Sequence, residues 1–449
     1  MRRSPRSLTR SAAAWATASI LCVLSGITPA EAQTALWKNA PERFVLATGI
    51  PCTYQKDTSS PTTVIGLFIA GGKSAVPPGL DGLAAISTRI LLEIPDEGKV
   101  QALMAQATRL YYVCLEDVSI VVIECLSEHL EEALRVSSKI VQDPLISGLR
   151  VGRAKDLMKA YGRMDEDDPV ATGRNAAFSA LYGGRGYGSL LYGSGPSLAA
   201  IDRKDVVGLV HRLVVKPNVY FGVQSDLDPK AVRSLLEKYF NGIPDGPAAG
   251  TTAQKAVLPD DRELAVRRDT RQSSVGQAYV LPRGGLADMA KAFLLETVLG
   301  KGPGSRLWSL RVDERLAYNV DADLTWTRSG AILIAHLETS QAHVSEAATA
   351  LGRVINGLRD KGLASGELEA VRAVARTRLL RATEMKSSRL RTLGLYQSLG
   401  LAPDGVTDLL AAADAITRED LEAFIREVLD PARALKITVG PGPQAPAPR

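Results

Sequence analysis

The stretch GLDGLAAISTRILLE, residues 79–93, follows an apolar segment and a Pro-Pro turn. Asp81 is a suitable N-cap and the residues after it favour helix, so the stretch predicts a helix. Positions 85, 88 and 89 share one face of it, because residues three and four apart are neighbours on a helix. They are Ala85, Thr88 and Arg89, which leaves this face without a metal ligand or an acid–base group.

The same pattern occurs twice along the chain. Residues 200–205 begin a helix that leads into the apolar strand of KPNVYFGV, and residues 415–420 begin another that leads into PARALKITV. Each helix start pairs an N-cap, Asp202 or Thr417, with acidic residues in the first turn.

Earlier segments also correspond between the two parts. TTVIGLFIAGG (62–72) matches SSVGQAYVLPRGG (273–285), and the hairpin-like run 109–126 matches 317–337. Amphipathic helices are predicted after both hairpins, over 127–142 and 341–360. Adjacent hairpin strands imply mainly antiparallel sheets with helices stacked on one face. The fold class predicted is therefore α+β, with two homologous halves arranged as a clamshell.

The predicted organisation of the 449 residues has five segments. They are an export signal at 1–32, an N-terminal domain at 33–242, a linker rich in Gly, Pro and Ala at 243–261, a C-terminal domain at 262–440 and a disordered tail at 441–449.

The N-terminal segment has the three parts of a signal peptide. Four arginines precede an apolar run, and Ala30-Glu31-Ala32 is an A-x-A cleavage site, which predicts export with cleavage after Ala32. A membrane anchor is the alternative, but the apolar run is too short to span a bilayer comfortably. Removing four arginines and one glutamate lowers the formal charge from +5 to +2. A charge this close to zero gives no indication of nucleic-acid binding.

Three cysteines, Cys52, Cys114 and Cys125, remain in the predicted mature chain. Cys114 and Cys125 fall on successive strands out of register for a cross-strand bond. Buried free thiols are favoured, although an exported protein could oxidise one pair.

Known catalytic motifs are missing from the sequence. None of the four histidines, at positions 129, 211, 336 and 343, has another at i+4, so there is no helical zinc pair. A structural role is favoured for His129, His211 and His336. There is no G-x-S-x-G or C-x-x-C, and GKGPGSR (300–306) is better explained as a turn between helices than as a P-loop. A self-sufficient active site is not indicated.

One pair of residues remains as a candidate. In RLWSLRVDERLAYNV (306–320), Arg311 falls near the end of a short helix and Tyr318 at the start of the next strand. A guanidinium and a phenol can both donate hydrogen bonds to a developing oxyanion. Considered alone, the pair has a simpler interpretation, in which Arg311 pairs with Asp313 or Glu314 and Tyr318 is a strand residue.

Nearly the whole predicted mature chain resembles the pitrilysin/insulinase-type zinc peptidases, the inverzincins, and most of all their short, processing-peptidase-like members. That family carries G-L-A-H-F-x-E-H-M-L on the helix where this chain has GLAAISTRIL (82–91). The resemblance places Ala85 and Arg89 at the two histidine positions and Thr88 at the catalytic glutamate. It places Lys159 or a neighbour at the distal glutamate ligand, in a helix over 151–163 that contains no glutamate. The implied zinc site is lost.

The second half keeps more of the family pattern. GPGSRLWSLRVDERLAY (302–318) resembles the family segment with S-R-L followed by L-R-x-x-x-x-L-x-Y. In active members this arginine and tyrosine reach toward the substrate carbonyl, and they correspond to Arg311 and Tyr318. A departure is Tyr111-Tyr112, which stands where active members have an Asn-Ala on the edge strand. The first half is therefore not expected to bind peptide in the usual register.

Several bacterial members work as heterodimers, with the zinc motif on one chain and the Arg/Tyr pair on the other. The resemblance implies that this chain is the second kind, inactive alone and without a cofactor of its own. Its expected partner is a homologous subunit with H-x-x-E-H and zinc, its substrates are peptides, and its compartment is the periplasm. The alternatives are a catalytically inactive peptide-binding or scaffold protein, and a lone peptidase with an unfamiliar metal site.

Overall fold

The computed structural model describes residues 39–249, 254–402 and 405–441. The signal predicted at 1–32, residues 250–253 of the predicted linker and residues 442–449 of the predicted tail lie outside the described residues. No helix among the described residues combines the length and the apolar composition needed to span a bilayer.

Two β-sheets organise the chain. The strands of the first are β1 (Glu42–Val45), β2 (Pro51–Lys56), β3 (Thr62–Ala70), β4 (Arg109–Cys114), β5 (Val118–Leu126) and β6 (Val219–Ser225), in the order β1-β2-β6-β3-β5-β4. The strands of the second are β7 (Glu263–Arg267), β8 (Ser273–Pro282), β9 (Asn319–Thr327), β10 (Gly330–Thr339) and β11 (Leu435–Gly440), in the order β7-β11-β8-β10-β9.

The second sheet repeats the first without β1. Its one parallel pair, β7 with β11, corresponds to the parallel pair of β2 with β6, and the remaining neighbours in both sheets are antiparallel. The predicted α+β class with two corresponding, mainly antiparallel halves is confirmed. The sheets fall within the predicted domains at 33–242 and 262–440, whose boundaries stay a prediction.

Fifteen α-helices accompany the sheets within the described residues. Those of the first half are α1 (Leu83–Ile90), α2 (Glu97–Ala105), α3 (Leu130–Gln142), α4 (Gly148–Asp167), α5 (Pro169–Tyr182), α6 (Gly195–Ala200), α7 (Arg203–Leu213) and α8 (Pro229–Tyr239). Those of the second half are α9 (Leu286–Gly300), α10 (Trp308–Val312), α11 (Val344–Lys361), α12 (Glu367–Ala382), α13 (Lys386–Ser398), α14 (Gly405–Ala415) and α15 (Arg418–Val428).

The helix starts follow the sequence signals with one exception. Asp202 and Thr417 are the N-caps of α7 and α15, each in a capping box with the acidic residue three positions on. The predicted N-cap of α1, Asp81, is wrong, because Gly82 takes that position with φ 94° and the helix begins at Leu83. The left-handed conformation of Gly82 turns the chain just before the helix, and α1 has no side-chain cap.

The two halves exchange helices. Helices α1–α4, α7 and α8 cover one face of the first sheet, in a core that includes Tyr54, Leu67 and Ile123. The other face, with Phe68 and Ile120, is covered by Leu390 of α13 from the second half. Reciprocally, α5 from the first half packs on the second sheet through a cluster that includes Phe178, Leu181, Ala278, Ile334 and Ile437. Each half therefore completes the core of the other.

Glycines allow α13 to approach the first sheet closely. Gly66 and Gly222 are cross-strand partners on β3 and β6. A Cβ on Gly66 would lie 2.8 Å from Cδ2 of Leu390, and a Cβ on Gly222 would lie 3.1 Å from Cδ1 of the same side chain. On the helix itself, Gly394 lies against the ring of Phe68, and its carbonyl accepts a 2.9 Å hydrogen bond from the Tyr220 hydroxyl.

The cysteines are buried and free, as the strand register indicates. Cys114 lies opposite Ser119, whereas Cys125 lies opposite Thr63 on the other side of β5. Burial raises the pKa of the Cys114 thiol to about 11, so it stays protonated at neutral pH.

Polar contacts also join the halves. The Arg389 guanidinium of α13 lies 2.7 Å from the carboxylate of Asp57, with both side chains mostly buried. The Lys386 ammonium donates hydrogen bonds to the carbonyl oxygens of Ser60 and Thr62 at 2.8 and 2.7 Å. These contacts fix the start of α13 against the loop between β2 and β3.

The pair of Asp57 and Arg389 makes the contact between the halves sensitive to acid. Burial acts to raise the pKa of Asp57, but hydrogen bonds from Ser59 and Arg389 outweigh it and lower the pKa to about 2. A carboxyl with a depressed pKa in the folded state stabilises the fold above its unfolded pKa, and this contribution is lost as pH falls toward 2. We expect Asp57→Asn to lose roughly 2 kcal/mol at pH 7 and to show less acid destabilisation between about pH 4 and 2 than the parent chain. Urea unfolding at several pH values measures the free energy of unfolding of both proteins. The prediction is contradicted if this free energy changes with pH in the same way in the variant and the parent chain.

Candidate functional site

Helix α1 presents no metal ligand. Ala85 is fully buried in the core of the first half, and Thr88 is buried with its hydroxyl donating a 2.7 Å hydrogen bond to the carbonyl of Ala84. Arg89 follows in the last turn, with Nη1 3.6 Å from a carboxylate oxygen of Glu93. These three residues do not fit zinc, because a methyl, a backbone-bonded hydroxyl and a guanidinium supply neither a thiolate, an imidazole nor a carboxylate.

Helix α4, which packs against α1, contributes positively charged side chains and not metal ligands. Arg150 of α4 lies 3.8 Å from the second carboxylate oxygen of Glu93 and also donates to its carbonyl at 2.9 Å. Lys159 on the same helix is exposed and pairs with Asp156 at 3.0 Å. Helix α4 packs against α1, but the assignment of Lys159 to the distal ligand position stays a prediction.

The four histidines lie apart from one another, in or beside helices or hydrogen-bonded to a single side chain. His129 precedes α3, and His211 lies in α7. His336 of β10 is bonded to Asp323 at 3.1 Å, and His343 to the Ser340 hydroxyl at 2.8 Å. The described residues contain no group of three or more His, Cys, Asp or Glu side chains arranged to hold a metal ion.

Tyr111 and Tyr112 lie on β4, at the edge of the first sheet, as predicted. Tyr112 is on the side of α1, beside Tyr161 and Tyr192, whose rings are 5.2 Å apart; burial raises its pKa above the usual range. Tyr111 is on the opposite side, bonded to Ser387 at the start of α13, and burial raises its pKa too. The two rings thus occupy both faces of this edge strand.

Arg311 and Tyr318 lie where the sequence places them. Arg311 is exposed in α10, with its guanidinium carbon 5.0 Å from the centre of the Trp308 ring. It makes no ion pair with another described residue. Tyr318 immediately precedes β9; its side chain is 57% exposed, and its N–H bonds to the carbonyl of Glu338. The two residues are joined by a turn in which the N–H of Leu316 bonds to the carbonyl of Leu310.

The simpler interpretation of Arg311 is wrong. Glu314, one of its two predicted partners, instead binds Arg353 of α11 at 2.6 Å. The Arg311 guanidinium therefore lies over an indole in a cation–π contact, and its N–H groups remain able to donate hydrogen bonds. Arg311 and Tyr318 are thus two exposed donors on one short segment.

A cluster of charged residues around the buried Glu296 was not predicted from the sequence. Glu296 of α9 binds Arg378 of α12 at 2.8 Å and accepts a 3.2 Å hydrogen bond from the N–H of Leu324 on the edge strand β9. Lys301 lies 2.7 Å from Asp321 and 3.0 Å from Asp323. Burial raises the pKa of Glu296. Because Glu296 occupies an outward N–H of β9, the cluster hinders the addition of a foreign strand there.

The comparisons with known proteins bear on the family and the fold. Residues 200–374 match the family model described as the Peptidase M16 inactive domain. A curated relative from Helicobacter pylori, the non-peptidase homolog YmxG, is 24% identical over 391 residues, covering 84% of this chain and 88% of that protein.

Solved structures share the fold over most of the chain. A peptidase M16 inactive domain from Pseudomonas fluorescens superposes with a TM-score of 0.81 at 20% identity, covering 91% of this chain and 99% of that one. A chain of Complex III2 from Candida albicans superposes with a TM-score of 0.77 at 14% identity, covering 89% and 95% respectively.

Proposed function

This chain belongs to the M16 peptidase family as an inactive-type member, and from that premise we propose that it is the zinc-free subunit of a heterodimeric metallopeptidase. Arg311 and Tyr318 would be the groups that it contributes to the shared site. The observation that carries the proposal is the exposure of this pair in a chain whose α1 has no zinc ligand, together with the absence of an ion pair between Arg311 and any other described residue.

The role of the pair follows from its chemistry. As the carbonyl of a peptide becomes tetrahedral, negative charge develops on its oxygen, and preorganised N–H and O–H donors stabilise that charge. The Arg311 guanidinium and the Tyr318 hydroxyl are such donors, and the stacking on Trp308 limits the positions that the guanidinium can take. Zinc, expected in the partner with H-x-x-E-H, would supply the activated water.

The remaining features of the proposal concern partner, substrate and place. The partner is a homologous subunit that closes against this chain, and the substrates are peptides. The complex is exported, with the periplasm as its compartment, after removal of residues 1–32. The expected partners include no nucleic acid, and no stable membrane anchor is expected.

Recovery of the natural complex tests the proposal. The tagged chain, expressed with its own signal in its native cells, is purified from the envelope fraction, and co-purifying proteins are identified by mass spectrometry. We expect a stoichiometric homologue bearing H-x-x-E-H, zinc at one per heterodimer, and peptidase activity in the complex alone. Recovery of the chain without such a homologue would contradict the proposal.

A second candidate is a non-catalytic scaffold or peptide-binding protein. It is favoured by the description of the Helicobacter pylori relative as a non-peptidase homolog, and by a neighbour that is part of Complex III2. The genome separates the two candidates, because a scaffold needs no companion with H-x-x-E-H. An adjacent gene for such a companion favours the peptidase subunit.

A further inference from the structure

A cavity of about 470 Å³ opens beside the altered zinc motif. It lies between the end of α1, helix α2, the start of β4 and helix α4. Its volume is within the range of ordinary small-ligand sites. Arg89, at a position that would hold a zinc ligand in the family, forms part of its wall.

The cavity is strongly positive. Three guanidinium groups line it, from Arg89, Arg150 and Arg153, against the single carboxylate of Glu93. Glu93 is shared by Arg89 and Arg150, whereas Arg153 is exposed and makes no ion pair with another described residue. The wall therefore carries two positive charges in excess, and Arg153 is free to bind a further anion.

Glu93 indicates which anion fits. Its two carboxylate oxygens lie 3.6 Å from Arg89 and 3.8 Å from Arg150, so the wall already holds one carboxylate between two guanidinium groups. At these distances the contacts with the Glu93 carboxylate are ion pairs and not hydrogen bonds. The planar fork of arginine also matches the geometry of a carboxylate placed closer, with which it forms charge-assisted hydrogen bonds stronger than neutral ones.

The rest of the lining selects for a partly apolar ligand. Leu103, Leu110 and Leu157 contribute to the wall, so a small inorganic anion would leave apolar surface exposed to water. Thr108 also lines the cavity, is 6% exposed, and has a buried hydroxyl without a hydrogen-bond partner among the described residues. This hydroxyl is closed to solvent in the free chain, so the ligand contacts assigned here are those of the arginines and the leucines.

We propose that this cavity binds an acidic side chain of a peptide, with the carboxylate on Arg153 and Arg89 and a neighbouring apolar residue against the leucines. The inference deepens the proposed function and rests on it for the choice of a peptide as ligand. In this proposal α1 binds an anion instead of a metal ion, because the positive charge comes from the Arg89 guanidinium. The peptide would be recognised through its side chain and not by pairing with β4. This agrees with the expectation that the edge strand, which carries Tyr111 and Tyr112, does not bind peptide in the usual register.

Peptide binding to the isolated full chain tests the proposal. The probe is a fluorescein-labelled hexapeptide with blocked ends in which glutamate and leucine alternate, and its dissociation constant is measured by anisotropy at two salt concentrations. Two comparison peptides are used. The first has glutamine in place of every glutamate, and the second is this glutamine peptide with its C-terminal carboxylate left unblocked. We expect binding of the glutamate peptide that weakens with salt, and about tenfold or greater loss with the glutamine peptide.

A matched pair of variants locates the site. Arg153→Gln should weaken binding of the glutamate peptide about tenfold, because it removes a charge-assisted hydrogen bond. Arg163→Gln makes the same change at another exposed position of α4 outside the cavity lining and should leave binding within about twofold.

Equal loss in both variants, equal binding of the glutamine peptide, or binding of the free C-terminal peptide alone would overturn the proposal. Because no partner subunit is present, failure here leaves the role of Arg311 and Tyr318 unaffected. Conversely, absence of a zinc-bearing partner in the cell leaves this binding intact.

Discussion

Replacing Gly394 by alanine is expected to destabilise the protein by about 3 kcal/mol or more, the upper end of the cost of overpacking a core. A Cβ at this position would lie 1.7 Å from Cε1 of Phe68. The ring cannot easily move, because it is stacked 4.8 Å from the ring of Tyr220 and lies against Gly66 and Gly222. Helix α13 must therefore withdraw from the first sheet, which weakens the contact between the halves.

Gly357→Ala is the matched control for this change. Gly357 is also inside a helix, α11, but a Cβ there meets nothing within 4 Å. Its replacement should stabilise the helix by up to about 1 kcal/mol, since glycine is a poor helix former. Chemical unfolding of both variants separates the two effects, and similar stabilities would mean that α13 does not pack on Phe68 as described.

Loss of either donor of the Arg/Tyr pair is expected to reduce turnover of the proposed heterodimer by about 10²–10³-fold. Arg311→Ala removes the guanidinium, and Tyr318→Phe removes only the hydroxyl. Both side chains are exposed, so stability should change by less than about 0.5 kcal/mol and the subunits should still assemble. The loss should fall on kcat and leave KM nearly unchanged, because the donors act on charge that develops in the transition state.

Arg433→Ala provides the control, since Arg433 is an exposed arginine in the turn before β11, outside the segment of the pair. It should leave turnover unchanged. Assembly is followed by size-exclusion chromatography, and kcat and KM are measured on a peptide that the wild-type complex cleaves. Full turnover in both Arg311→Ala and Tyr318→Phe would exclude the proposed role and favour the scaffold.

Local signals predicted much of the fold. The capping boxes at Asp202 and Thr417 mark helix starts because they depend on residues three positions apart. The hairpins were also visible, since their strands are adjacent in the sequence. The exchange of α5 and α13 could not be predicted in this way, because Leu390 and Phe68 meet only through the tertiary fold.

In the candidate site, too, the features that depend on neighbouring residues in the sequence were predictable and the contacts between distant segments were not. The altered zinc motif and the positions of Arg311 and Tyr318 follow from residue order. The salt bridge of Arg89 with Glu93 has the i,i+4 spacing that a sequence can suggest. The approach of Arg150 to Glu93, and of Arg378 to Glu296, joins different helices and needed the structure. The prediction of Asp81 as the N-cap is wrong because a glycine alone does not reveal from sequence that the chain adopts the left-handed conformation at Gly82.

The exchange of helices also bears on the biosynthesis of the protein. The Lys386 contacts at the start of α13 are made with residues as much as 326 positions earlier in the chain. At a translation rate of about 5–20 residues per second, roughly 15–65 s separate the synthesis of the two segments. Until α13 is made, no part of it can cover the apolar face around Phe68, whether the first half folds during synthesis or after export. The ribosome-bound chain should therefore engage chaperones, and a product that terminates before α13 should be degraded and not accumulate as a folded N-terminal fragment.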